Sequence, residues 1–142
     1  MALIWWLKNY HITSSSFVVG GTGYITFKLG GGKNTDLCYV EIVDAETDDV
    51  LAIYGNTMFN DKENKYYSAN GKVKDLSADG YYMANMVSYK ADLSEFIGRS
   101  VKIKIVDNAS NDWGLFFVDD FVTYYDSLDA INEKYVIAEN LK

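Results

Sequence analysis

Apolar and polar residues alternate with a period of two along much of this chain, the spacing of a strand with one face in a core. Over residues 37–43, Leu37, Tyr39, Glu41 and Val43 fall on one side and Cys38, Val40 and Ile42 on the other. The second set is small and apolar, so it is the expected core face. Val101, Ile103 and Ile105 alternate with Lys102 and Lys104 in the same way. Residues 24–29 read as a strand that the glycines at 30–32 stop, and Phe17, Val18 and Val19 precede the turn signal Gly20–Gly21. Acidic residues at 44–49 form a turn between the strand over 37–43 and its return over 50–54, which predicts a hairpin. Residues 81–89 and 115–125 supply two further strands.

Between these runs the pattern weakens. Residues 55–80 are polar and rich in Asn, Lys and Asp. A structureless loop of that length is uncommon inside a compact domain, so the stretch is functional or partly ordered, and Asn70–Gly71 can close a small hairpin within it. Over 92–98, Asp92 or Ser94 can cap one short helical turn that Gly98 ends. Residues 126–142 are weaker still, a C-terminal strand or a connector to a following domain. About eight short strands at regular spacing, with no long amphipathic helix, predict an all-β fold, an antiparallel β-sandwich or jelly roll spanning residues 1–125 as one module. A doubly wound α/β fold or a helical bundle would need helical stretches that are absent.

Composition narrows the function classes. The 142 residues fit one domain, and 49% hydrophobic residues suffice for a core. Thirteen basic groups stand against 20 acidic ones, a net charge of −7, and Arg99 is the sole arginine. Such a chain offers no set of guanidinium groups for phosphates, which argues against nucleic acid as a partner. The longest apolar run, residues 2–7, is too short to span a bilayer and lacks the basic start of a signal peptide, so no membrane is expected. Cys38 is the sole cysteine and cannot form an internal disulfide.

Catalysis is poorly supplied, and no enzyme activity is expected. His11 is the only histidine and no nucleophile elbow occurs. A Cys38–His11 dyad needs an exposed thiol of low pKa, whereas Cys38 falls on the predicted core face. Zinc lacks ligand pairs. Paired carboxylates for glycoside hydrolysis must converge in a cleft, and those at 44–49 read as solvated turn residues.

Two groups of polar residues carry a binding signal. Asp119–Asp120 interrupts an apolar strand, so one of the two faces inward or the strand ends there. An inward carboxylate is costly unless paired or bound to a cation, and Ca2+ is the hard cation such sites take; the alternative is a bulge with both groups solvated or bonded to backbone. Residues 107–114 place Asn108, Asp112 and Trp113 in one loop. An aromatic face for C–H groups beside amides and carboxylates for hydroxyls is what a sugar needs; the alternative is an Asx-rich turn with Trp113 packed on the core. Trp5, Trp6 and Tyr10 form a second aromatic group, suited to a ligand or an interface.

The stretches GTGYITFKLGGGKN at 21–34, CYVEIVDA at 38–45, VLAIYGN at 50–56, YKADLS at 89–94, IVDNASNDWG at 105–114 and FVDDF at 117–121 follow one another in a characteristic order. Over residues 14–125 the chain resembles the galactose-binding-like β-sandwich modules attached to bacterial family 32 glycoside hydrolases, the levanases, fructanases and sucrose-6-phosphate hydrolases. The resemblance implies a noncatalytic module that holds a secreted or wall-attached fructan-degrading enzyme on its polysaccharide. A spacer or protein-interaction domain docked on the parent's catalytic domain is the other role it allows. It implies carbohydrate contacts, or shaping of the site, by Asn108, Asp112, Trp113, Tyr54 and Asn56, and a structural Ca2+ held by Asp119 or Asp120. Modules of this type begin with a further strand region before the Ser14–Phe17 stretch. Here residues 1–12 either supply those strands or leave an open sheet edge, and in the second case a homodimer would cover it.

Overall fold

The computed structural model describes residues 10–32, 34–60, 65–67, 73–75, 86–109 and 116–142. Period-two alternation becomes two facing sheets. The first is built from β1 (Tyr10–Thr13), β2 (Phe17–Val18), β4 (Cys38–Asp44), β5 (Val50–Tyr54) and β10 (Ser100–Asp107), in the order β1-β10-β4-β5. The second orders β11 (Phe116–Val122), β3 (Tyr24–Gly31), β9 (Val87–Asp92) and β12 (Val136–Ile137) as β11-β3-β9-β12. The polar stretch over 55–80 contributes a separate three-stranded sheet of β6 (Phe59–Asn60), β7 (Lys65–Tyr67) and β8 (Val73–Asp75). β7 and β8 pair antiparallel, while Asn70 and Gly71 lie outside the described residues. The architecture is an all-β sandwich.

The expected core face of β4 is the observed one: Cys38, Val40 and Ile42 are buried, as are Ile103 and Ile105 on β10. They meet Ile25, Phe27 and Leu29 of β3 and Val87 and Tyr89 of β9. The Phe27 ring sits between the sheets, with its centroid 5.8 Å from Tyr54, 6.0 Å from Tyr89 and 5.6 Å from Phe121. Burying each such side chain contributes about 1.5–3 kcal/mol.

Short polar side chains fix the turns. Asp44 Oδ1 accepts the Glu46 N–H at 2.8 Å and the Thr47 N–H at 3.1 Å, closing the acidic turn of the β4–β5 hairpin. These backbone donors, Glu46 first, hold the Asp44 carboxyl below the usual carboxylate range. The helical turn over 92–98 is a short 3-10 turn at Ser94–Phe96. Asp92 Oδ1 accepts the Ser94 N–H at its entry and Gly98, at φ +90°, leaves it. Between β1 and β2 the chain bends without losing β10, because Ser14 Oγ accepts the Ile103 N–H at 2.9 Å where a strand carbonyl would otherwise stand.

The C-terminal residues fold back over one side of the sandwich. β12 pairs parallel with β9, and the Ala138 N–H donates to Lys90 O at 2.8 Å. The Leu141 N–H then donates to Ile53 O at 2.8 Å, and Asn140 Oδ1 accepts the Ile53 N–H at 3.0 Å. One strap thus covers the free edge of β9 in one sheet and of β5 in the other. Exposed edges template pairing with other chains. Deleting residues 133–142 is expected to raise the molar mass measured by light scattering above that of the full chain; an unchanged mass would show that these edges need no cover.

Candidate functional site

The ends of β3, β5 and β10 and the start of β4 meet at one pole of the sandwich. Asn108 follows β10 directly. Its N–H donates to Leu37 O at 2.9 Å, and its Oδ1 accepts the His11 Nε2–H at 3.2 Å. Strand register sets His11 of β1 opposite Val106 of β10 and Val106 opposite Tyr39 of β4. Alternation puts this row on the face opposite Cys38, Val40 and Ile105, which point into the core, although Val106 at its centre is itself buried. His11 and Asn108 are exposed and Tyr39 is half-buried. Burial, and then the Glu41 carboxylate, raise the Tyr39 hydroxyl, so it stays a protonated donor and acceptor at neutral pH. The next row carries Thr13, Lys104 and Glu41. A phenol ring, an amide and an imidazole on a rigid sheet, with a cation and a carboxylate behind them, can stack on C–H groups and exchange hydrogen bonds with hydroxyls.

Tyr54 and Asn56 reach the same pole from within. Asn56 is wholly buried: its Nδ2 donates to Gly31 O at 2.9 Å and its Oδ1 accepts the Tyr89 hydroxyl at 2.6 Å. Tyr89 in turn accepts the Met58 N–H at 3.2 Å. Tyr54 is 2% exposed, and burial pushes its hydroxyl up to about 12. These two residues brace the pole from inside: the Asn56 amide is taken up by Gly31 O and the Tyr89 hydroxyl, and the Tyr54 ring packs by Phe27. Asp112 and Trp113 lie outside the described residues. His11 and Tyr39 were legible only as a weak dyad partner and as the solvent side of a strand; the register that joins them to Asn108 is a long-range property.

Asp119 and Asp120 form a bulge, with the β3–β11 register shifting between Asp119 and Val122 and Asp120 at φ +56°. Asp119 Oδ1 accepts the Asp120 N–H at 2.7 Å, and Asp120 Oδ2 lies 3.3 Å from Lys28 Nζ. Calcium takes six to eight oxygens. Two carboxylates, one of them facing an ammonium, do not fit that requirement, and among the described residues no three His, Cys, Asp or Glu side chains gather as a metal cluster.

Cys38 and His11 face opposite sides of the sheet. Burial pushes the Cys38 thiol up to about 12, so it is not a nucleophile at neutral pH. At the opposite pole, Asp44, Glu46, Phe96, Ile97 and Arg99 line an open cleft of about 450 Å³. Arg99 Nε is 3.7 Å from Asp44 Oδ2, and its guanidinium lies 5.5 Å from the Phe96 ring centroid.

No protein-family model, curated protein or solved structure matches this chain. Among the described residues no helix is long and apolar enough to cross a membrane.

Proposed function

We propose that this chain is a noncatalytic carbohydrate-binding module of the galactose-binding-like jelly-roll type, taking its glycan on the outer face of the first sheet at the Asn108 pole. The observation that carries the proposal is the row of His11, Tyr39 and Asn108, with the first and last joined by a hydrogen bond and open to solvent. The resemblance over residues 14–125 supplies the setting, a secreted or wall-attached bacterial enzyme acting on fructans, and hence the first ligands to try.

Calorimetric titration of the full chain with levan, inulin, fructose and galactose tests it. Binding to at least one is expected, weakened about tenfold by Tyr39→Ala, which removes a stacking ring, and about threefold to tenfold by Asn108→Ala, which removes an amide. Silence on all four, or binding indifferent to both substitutions, would count against this site.

A second reading, docking on a neighbouring catalytic domain, draws on the other pole. Val18, Ile97 and Tyr124 are more than half exposed there, at 61%, 53% and 58%. Val18 lies in register with Ser100, which lines the cleft. Apolar groups of this size in one exposed patch are a common mark of an interface. Tight binding to a separately produced catalytic domain, lost in Ile97→Asp, would favour it over sugar recognition.

A further inference from the structure

Asp107 is the one ionisable carboxylate among the buried described residues, at 1% exposure. It ends the inward row of β10 that begins with Val101, Ile103 and Ile105. Its Oδ1 accepts the Ala109 N–H at 3.1 Å and the Cys38 thiol at 3.4 Å. Among the described residues its Oδ2 has no hydrogen-bond partner. Cys38 faces it from β4, β1 sets Tyr10 opposite it in register, and no cation among the described residues pairs with it. His11 stands on the other side of the sheet. A buried carboxylate oxygen without a donor is tolerable while the group is neutral and expensive once it is charged.

Asp107 also governs geometry. Its bond to Ala109 spans Asn108, and Ala109 is itself buried. Asn108 is therefore held between two anchored residues at the place where it meets His11. We infer that Asp107 is a proton-controlled positioning residue for this pole: as the neutral acid it keeps the turn from Asp107 to Ala109 closed, and loss of its proton draws Oδ2 towards water and frees Asn108 from His11. The regulatory consequence rests on the glycan reading proposed above; the switch itself does not.

The sign follows from burial, which raises the Asp107 carboxyl above its ordinary value of 3.8 more than the Ala109 and Cys38 donors pull it back. A group with a raised native value stabilises the closed fold fully below its unfolded value. That contribution is lost as pH rises through the native one.

Carboxyl 13C titration and amide hydrogen exchange on the labelled full chain test the switch. The Asp107 carboxyl should titrate above 3.8. The Ala109 protection factor, normalised for intrinsic exchange, should fall as pH rises from 3.8 through that midpoint and level off above it, by about tenfold for each pH unit that separates the two. In Asp107→Asn, which keeps the Oδ1 acceptor without the charge, protection should stay flat at the low-pH level. A midpoint at or below 3.8, protection independent of pH in the wild type, or an equal fall in Asp107→Asn would overturn the switch. Levan or inulin affinity, where binding occurs, should fall across the same midpoint in the wild type only, and a pH-independent affinity would overturn the gating role. Titration as expected with no glycan bound at any pH would uphold the switch and reject the glycan reading.

Discussion

Asn56→Ala is expected to cost about 3 kcal/mol of folding stability, because it strands two buried groups at once. Gly31 O would lose the Nδ2 donor 2.9 Å away, and the Tyr89 hydroxyl would lose the Oδ1 acceptor at 2.6 Å. Neither can turn to water in a pole where Asn56 has no exposed surface. Each orphaned group costs about 1–3 kcal/mol, and the amide's volume is lost as well. In a chain of this size that lowers the thermal midpoint by about 10 °C. Tyr89→Phe should cost less, since it leaves Asn56 Oδ1 and the Met58 N–H without the hydroxyl but keeps the ring packed on Phe27. The double variant should fall short of the sum, as both substitutions break one network. Denaturant unfolding reads all three. A loss below about 1 kcal/mol for Asn56→Ala would mean that the network does not hold the pole together.

Gly23→Ala should be at least as damaging, through a different cause. Gly23 sits at φ +80°, and a Cβ there would come within 2.5 Å of Ser94 Cα and 2.8 Å of Ser94 N. Both are backbone atoms of the 3-10 turn, which the Leu93 N–H to Gly23 O bond already clamps to this position. The added carbon must therefore push the turn off β3 while the backbone bears about 1–3 kcal/mol of left-handed strain. Gly98 supplies the control: at φ +90° it carries the same conformational penalty, but its Cβ would meet nothing within 4 Å. Gly98→Ala should consequently lose only the strain. Equal destabilisation by the two substitutions would show that the close approach of Ser94 adds nothing.

The parts of this fold that were legible in the sequence are those set by local period. Residues 50–54 form β5 at the predicted limits, and Cys38, Val40 and Ile42 face the core because one side of β4 is small and apolar and the other carries Tyr39 and Glu41. The glycine run stops β3 only at Gly31, since Gly30 and Gly31 still pair with Phe117 and Phe116 across the sheet; pairing partners, not propensity, set that end. The limits of β6, β7 and β8 escape prediction because two or three residues are too few to show a period; only the turn signal Asn70–Gly71 pointed to a hairpin where β7 and β8 pair. The strap had only a weak apolar signal, since its hold on the sandwich comes from backbone bonds to Lys90 and Ile53 and not from an alternating face.

The candidate site was legible in half. Asn108 stands out as a polar residue after a strong strand. Its partners His11 and Tyr39 come from strands 97 and 69 positions away in the chain, as the difference in numbering shows, and only sheet register joins them. Tyr54 and Asn56 lie at the same pole as Asn108, where burial makes them part of its frame. Asp107 could not be told from a solvated loop carboxylate, because its burial depends on Cys38 and Ala109 being packed beside it.

Amide chemical-shift mapping of the 15N-labelled full chain with levan or inulin oligosaccharides would locate a glycan seated on the outer face of the first sheet. Saturable shifts concentrated at His11, Tyr39 and Asn108 are expected, with the amides of Phe96–Ser100 unmoved. Shifts confined to the Phe96–Ser100 pole, or none at saturating glycan, would contradict it.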